Sequence, residues 1–197
     1  NAQGRCRYRG TGLILVDIPG TYSLMAHSAE EEVARDFICF GNPDAVIVVC
    51  DATCLERNMN LVLQTLEITE KVVVCVNLMD EAKKKKIRID FEQLEKNLGV
   101  PVVGISARNA QGMDEMMDRL LDVTDVSGET EGGGLTDPID KEPEDVQNER
   151  RKKGKHPFQV RYTKPIEEAV AILQPAVEKQ LNGKLNARWI ALKLIDY

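Results

Sequence analysis

Apolar residues gather along this chain in short unbroken runs that alternate with longer amphipathic stretches. Leu13, Ile14, Leu15 and Val16 form one run. Residues 45–50, Val72 to Val76 and the stretch Val102, Val103, Gly104, Ile105 form three more. Runs this short, rich in valine and isoleucine and lacking polar alternation, predict strands buried on both faces of a parallel sheet. Residues 5–8 predict a further strand, joined to the first run by the turn Arg9, Gly10, Thr11, Gly12 as a hairpin. Between the runs the apolar spacing becomes helical. Ser28 and Glu31 form a capping box ahead of Val33, Phe37 and Phe40, and Gly41, Asn42, Pro43 and Asp44 stop that helix. Residues 55–70 predict a second helix with Met59, Val62 and Leu66 on one face. Residues 90–98 predict a third, buried through Phe91, Leu94 and Leu98 and capped by Gly99. Residues 112–123 predict a fourth, in which Met113, Met116 and Met117 read as core rather than as a thioether metal site. The resulting fold class is α/β, with a doubly wound, mostly parallel sheet followed by a small, partial helical domain.

The pattern changes after Thr124. Residues 125–156 are rich in Gly, Asp and Glu and then in Lys and Arg, which predicts a flexible linker. Residues 158–162 predict a short strand. Residues 166–181 predict a helix bent at Pro175, and Arg188 opens another. Two helices do not make an independent core, so residues 157–197 read as the start of a helical domain.

Composition narrows the partner classes. The 197 residues carry a formal net charge of −6, without the basic field that a nucleic-acid binder presents. The five cysteines form no C-x-x-C pair; Cys39, Cys50 and Cys75 lie within or beside apolar runs and read as small core residues. No run of eighteen apolar residues is present. His27 reads as an exposed loop residue, and Lys83 to Lys86 as a solvated basic helix end.

The chemistry sits where strands end. Asn77, Leu78, Met79 and Asp80 follow the run Val72 to Val76. An ionised carboxylate at Asp80 accepts two adjacent N–H donors, which is what a guanine edge offers and an adenine edge does not. Asn77 would hold the loop and meet the acceptor side of the base. Asp17, Ile18, Pro19 and Gly20 follow the first run. In a D-x-x-G turn the carboxylate reaches Mg²⁺ through a water, and the glycine N–H approaches a terminal phosphate. Ser106 and Ala107 follow the last run and would close the base pocket, and Asp51 follows the second. Polar groups at the carboxyl ends of parallel strands are where such sheets bind ligands.

Those residues carry a family resemblance. The stretches Val16-Asp17-Ile18-Pro19-Gly20-Thr21-Tyr22-Ser23-Leu24, Asp51-Ala52-Thr53-Cys54-Leu55-Glu56-Arg57-Asn58 and Asn77-Leu78-Met79-Asp80-Glu81-Ala82 resemble the cytosolic GTPase region of the ferrous iron transport protein B family. Leu98-Gly99-Val100-Pro101-Val102-Val103 and Arg188-Trp189-Ile190-Ala191-Leu192-Lys193-Leu194 match as well. The resemblance covers nearly all of the chain outside the linker. It implies a fold of the P-loop GTPase type, with residues 1–124 as the G domain and a helical domain after it. It also implies GTP and GDP as ligands, Mg²⁺ as cofactor, and a membrane permease for Fe²⁺ as partner. The location implied is the cytoplasmic face of a bacterial inner membrane, and a homo-oligomer is compatible with it.

Two departures from the pattern matter. The sequence contains no G-x-x-x-x-G-K-[ST] loop. The resemblance places that loop, the first strand and the first switch upstream of Asn1, and a chain without them is expected to hold GTP negligibly and to be inactive. Thr21 stands where many GTPases carry a water-orienting Gln, which implies slow hydrolysis in the intact protein. Thr21, Tyr22 and Ser23 would open the second switch, and no catalytic residue is assigned. The rival readings are a soluble GTPase of RNA modification or ribosome assembly, which would need a basic appendage, and a non-catalytic interaction scaffold.

Overall fold

The computed structural model describes residues 2–24, 28–124, 159–181 and 185–195. The expected linker, His27 and Phe158 lie outside the described residues. Strands β1 (Ala2–Tyr8) and β2 (Thr11–Asp17) form an antiparallel hairpin. Strands β3 (Val46–Asp51), β4 (Val72–Asn77) and β5 (Val102–Gly104) form a parallel sheet in the order β3-β4-β5. The helices are α1 (Ala29–Phe40), α2 (Leu55–Ile68), α3 (Met79–Lys84), α4 (Phe91–Leu98), α5 (Met113–Val123), α6 (Lys164–Leu181) and α7 (Ala187–Ile195).

Strand β4 is the centre of the sheet, and Val72 to Val76 are fully buried along it. Alternate side chains on a strand point to opposite faces, so one strand feeds two cores. Val72, Val74 and Val76 pack with Val48 and Cys50 of β3 and with Val62 and Leu66 of α2. Val73 and Cys75 pack on the other face with Val103, Ile105 and the α5 residues Met116 and Leu120. Burying each aliphatic side chain of this kind stabilises the fold by about 1.5–3 kcal/mol. The methionines of α5 are therefore core, as their spacing predicts. Burial also sets the chemistry of the central thiols. Desolvation pushes Cys50 up to about 12 and Cys75 up to about 11, so neither is a nucleophile at neutral pH.

The hairpin is its own ladder: among the described residues β2 pairs only with β1. It is fastened to α5 at its tip, where the Tyr8 hydroxyl donates to Asp118 at 2.8 Å and Arg9 pairs with the same carboxylate at 2.7 Å. Its apolar run is not covered on both faces. Ile14 is 62% exposed and Leu15 42%.

A third cluster joins the second half of the chain to the first. Trp189 of α7 is buried with Leu24, with Ala34, Ile38 and Cys39 of α1, and with Ile68 of α2. Ile18 and Leu61 pack against this cluster. A polar strap runs beside it: the Tyr162 hydroxyl donates to Glu67 of α2, and Arg188 forms a two-pronged pair with Glu167 at 2.8 and 3.0 Å.

Several boundaries differ from the sequence pattern. The strand expected at residues 158–162 is absent over the described part. The backbone N–H of Tyr162 donates to the Glu167 carboxylate at 2.8 Å, leading the chain into α6 rather than into a ladder. Helix α6 begins at Lys164, carries Pro175 in its interior and continues to Leu181. Helix α2 ends at Ile68, two residues before the expected end, because Thr69 takes an extended conformation.

Candidate functional site

The parallel register places Asp51 beside Asn77, and Val76 beside Gly104, so the three loops that follow these strands leave from one edge. Asn77 fastens two of them together. Its side-chain Oδ1 accepts from the backbone N–H of Leu78 at 2.8 Å and from that of Ala107 at 3.1 Å. Its own backbone carbonyl accepts from Ala52 at 2.9 Å, which brings in the third loop. Leu78 takes a left-handed conformation, φ 64, to turn the chain from β4 straight into α3. The Met79 N–H then donates to the Ile105 carbonyl at 3.1 Å.

This turn sets Asp80 in the first turn of α3, where helix geometry favours an anion. Its Oδ1 accepts from the Ser106 hydroxyl at 2.9 Å. That bond is the chief reason the Asp80 carboxyl lies below the usual carboxylate range, and backbone N–H groups at Asp80 and Glu81 add to it. The carboxylate is ionised at neutral pH. Ser106 itself is 2% exposed, so its hydroxyl is a fixed internal donor rather than a solvated one. Two glycines make room for this packing. A Cβ at Gly104 would lie 2.6 Å from the Phe91 ring, and one at Gly112 would lie 2.5 Å from the Gly104 carbonyl.

The expected residues thus fall into two groups. Asn77, Leu78, Met79, Asp80, Ser106 and Ala107 are brought together at the ends of β4 and β5. Asp17, Ile18, Pro19 and Gly20 leave the end of β2, and among the described residues no hydrogen bond joins them to the first group. Asp51 has a local duty. Its Oδ1 accepts from the Thr53 N–H at 2.7 Å, the main cause of its lowered pKa, and its N–H donates to Asn58 at 2.7 Å, securing the start of α2.

The segment after Gly20 leans on α2. The Thr21 hydroxyl is occupied locally, donating to the Ser23 carbonyl at 2.7 Å and accepting from the Ser23 N–H at 3.2 Å. Arg57 lies over the Tyr22 ring at 4.0 Å. Gln64 Oε1 accepts from the Leu24 N–H at 2.6 Å and from the Ser23 hydroxyl at 3.3 Å. Sequence reasoning gave neither Arg57 nor Gln64 a role. Their signal was the seven-residue spacing, which puts both on one face of α2.

Asp17 is exposed, and among the described residues no group of three His, Cys, Asp or Glu is placed to hold a metal. A lone carboxylate suits Mg²⁺ of the kind that keeps its waters and binds mainly through phosphate oxygens. Among the described residues no helix is long and apolar enough to cross a membrane.

Comparison with known proteins identifies the relatives of this chain. A family profile described as ferrous iron transport protein B matches residues 1–120, and one described as the FeoB cytosolic helical domain matches residues 162–197. A Porphyromonas gingivalis Fe(2+) transport protein A/Fe(2+) transporter FeoB fusion protein is 32% identical over 197 residues, covering 98% of this chain and 20% of its own length. The Helicobacter pylori Fe(2+) transporter FeoB is 41% identical over 109 residues, 55% of this chain and 17% of the relative. The chain thus spans about a fifth of the length of the curated relatives it matches. Among solved structures, the cytosolic domain of T. maritima FeoB in a GDP form superposes with a TM-score of 0.75 at 28% identity, covering 97% of this chain and 64% of that one. The FeoB G-domain from Methanococcus jannaschii superposes at 0.61 with 41% identity, covering 62% and 79%. The α/β fold and the resemblance read from the sequence both hold, and the chain belongs to the ferrous iron transport protein B family.

Proposed function

We propose that this chain is the guanine-nucleotide-binding regulatory part of a bacterial ferrous iron transporter, working at the cytoplasmic face of the inner membrane beside the transporter's own permease. The arrangement that carries this reading is the ionised Asp80 carboxylate, with Ser106 on one oxygen and Asn77 tying its loop to Ala107. A carboxylate held in that way accepts the paired N–H donors of guanine and repels the acceptor that adenine presents there. Solved relatives in GDP and GMPPNP forms support guanine nucleotides as ligands.

Gly20 supports the phosphate end of the reading. It has no positive φ, and a Cβ there would meet nothing within 4 Å. Neither packing nor backbone conformation calls for glycine at this position, whereas a phosphate oxygen approaching the N–H does. Asp17 would hold Mg²⁺ through a water, and the ion would neutralise phosphate charge when bound. Ile18 and Pro19 carry the chain between those two contacts. Thr21, Tyr22 and Ser23 begin the switch, which loss of the terminal phosphate would release from α2. The Thr21 hydroxyl spends its one hydrogen on the Ser23 carbonyl and so has none to donate to an attacking water, which supports slow GTP hydrolysis in the intact protein.

Calorimetric titration of a version that includes a G-x-x-x-x-G-K-[ST] loop tests the reading. GDP is expected to bind at micromolar or tighter Kd, and ADP roughly a hundredfold or more weaker, because a polar site rejects a base that leaves its groups unpaired. Equal affinity for the two would contradict it.

A further inference from the structure

Ser106 has one hydroxyl hydrogen and stands between two side chains. On one side lies Asp80 Oδ1 at 2.9 Å; on the other lies the Asn109 side-chain amide nitrogen at 3.2 Å. An ionised carboxylate only accepts and an amide NH₂ only donates. The hydroxyl therefore receives from Asn109 and donates to Asp80, and no rotation of its hydrogen satisfies both neighbours otherwise. The turn that presents Asn109 is itself closed. The Asn109 N–H donates to the Ser106 carbonyl at 2.9 Å, the Ser106 N–H donates to the Gln111 carbonyl at 3.0 Å, and Ala110 takes a left-handed φ of 53.

We propose that Asn109 is a positioning residue for guanine recognition: its amide polarises and orients the Ser106 hydroxyl, which in turn fixes the rotamer and charge of the Asp80 carboxylate. This rests on the guanine reading of Asp80 for its purpose, though not for its geometry. Among the described residues Asn109 reaches Asp80 by way of Ser106. It acts through the buried hydroxyl, and hydrogen bonds in a chain strengthen one another. The side of Asp80 remote from Ser106 is left to meet the base. Sequence reasoning passed over Asn109 because an exposed asparagine in a turn is ordinary.

The test follows the Asp80 carboxyl by carbon-detected NMR during a pH titration of this chain, with no nucleotide present, so its outcome is separate from whether guanine binds. In Asn109→Ala the Asp80 midpoint is expected to move up toward that of Ser106→Ala, while the Ser106 amide keeps its hydrogen-exchange protection. Asn109→Gln, which retains the NH₂ donor, is expected to move it back toward the wild-type midpoint. An unchanged midpoint in Asn109→Ala would overturn the proposal. So would a shift accompanied by lost Ser106 protection, since that would mean the turn had opened.

Discussion

Asn77 and Ala107 lie thirty residues apart in sequence and meet at 3.1 Å, side-chain oxygen to backbone nitrogen. The same oxygen also holds Leu78, so this amide joins the β4 and β5 loops alongside the Met79–Ile105 and Ser106–Asp80 bonds. Asn77→Ala removes the acceptor of one part-buried backbone donor, at Leu78, and of one exposed donor, at Ala107. A loss of about 1–2 kcal/mol is expected, read as a lower urea midpoint with unchanged slope. A variant as stable as the parent would show that the loops hold together without it.

Gln64 makes a separate prediction about the switch. Gln64→Ala removes the Oε1 that accepts from the Leu24 N–H. One net hydrogen bond is worth about 1 kcal/mol, so hydrogen exchange at Leu24 is expected to quicken about fivefold while β4 amides stay protected. Unaltered exchange at Leu24 would mean that packing against α1 and Trp189 fixes the segment instead.

The Glu167–Arg188 pair gives a pH dependence. The Arg188 guanidinium, followed by the Tyr162 N–H, holds the Glu167 carboxyl at about 2, against an ordinary value of 4.5. A carboxyl lowered on folding stabilises the native state above its unfolded value, and the contribution drains away as pH falls from about 4.5 through about 2. The urea midpoint of the parent chain is expected to fall more steeply across that window than that of Glu167→Gln. Parallel curves for the two would mean that the pair does not respond to folding.

Trp189 is the sole tryptophan in the chain, and it is 8% exposed between α1 and α2. Its emission therefore reports only the junction between the two parts. Unfolding followed by emission and by far-ultraviolet circular dichroism is expected to coincide, and Trp189→Ala to cost about 3–5 kcal/mol. An emission transition that finishes well before the dichroism change would show the junction opening on its own.

Much of the sheet was legible in the sequence because β4 is buried on both faces and β5 buries Val102 and Val103. On the edge strand β3, however, the expected double burial fails at Val49, which is 59% exposed. The positions of Asn77, Asp80 and Ser106 were legible from the N-x-x-D and Ser-Ala steps that follow apolar runs, together with the family resemblance. Helix α3 was legible only at its end, where Lys83 to Lys86 read as a solvated basic helix end. Met79 to Lys84 buries only Ala82, so it leaves no periodic stripe, and the left-handed Leu78 that launches it has no residue signature. Arg57 and Gln64 were hidden for the opposite reason: polar residues on an amphipathic helix read as solvated until a loop is seen to lie on them. The apolar run of β2 matched its neighbours, yet Ile14 and Leu15 are exposed. Pattern reports what a strand is able to bury, whereas its surroundings decide what it does bury.

The most direct measurement is the base preference of Asp80→Asn in a version that carries the phosphate-binding loop. Xanthine replaces guanine's amino donor with a carbonyl acceptor, which the amide introduced by that substitution is able to satisfy. GDP affinity is expected to fall and XDP affinity to rise, inverting the ratio by roughly a hundredfold. A GDP-to-XDP ratio left where the parent has it would mean that Asp80 does not read the base.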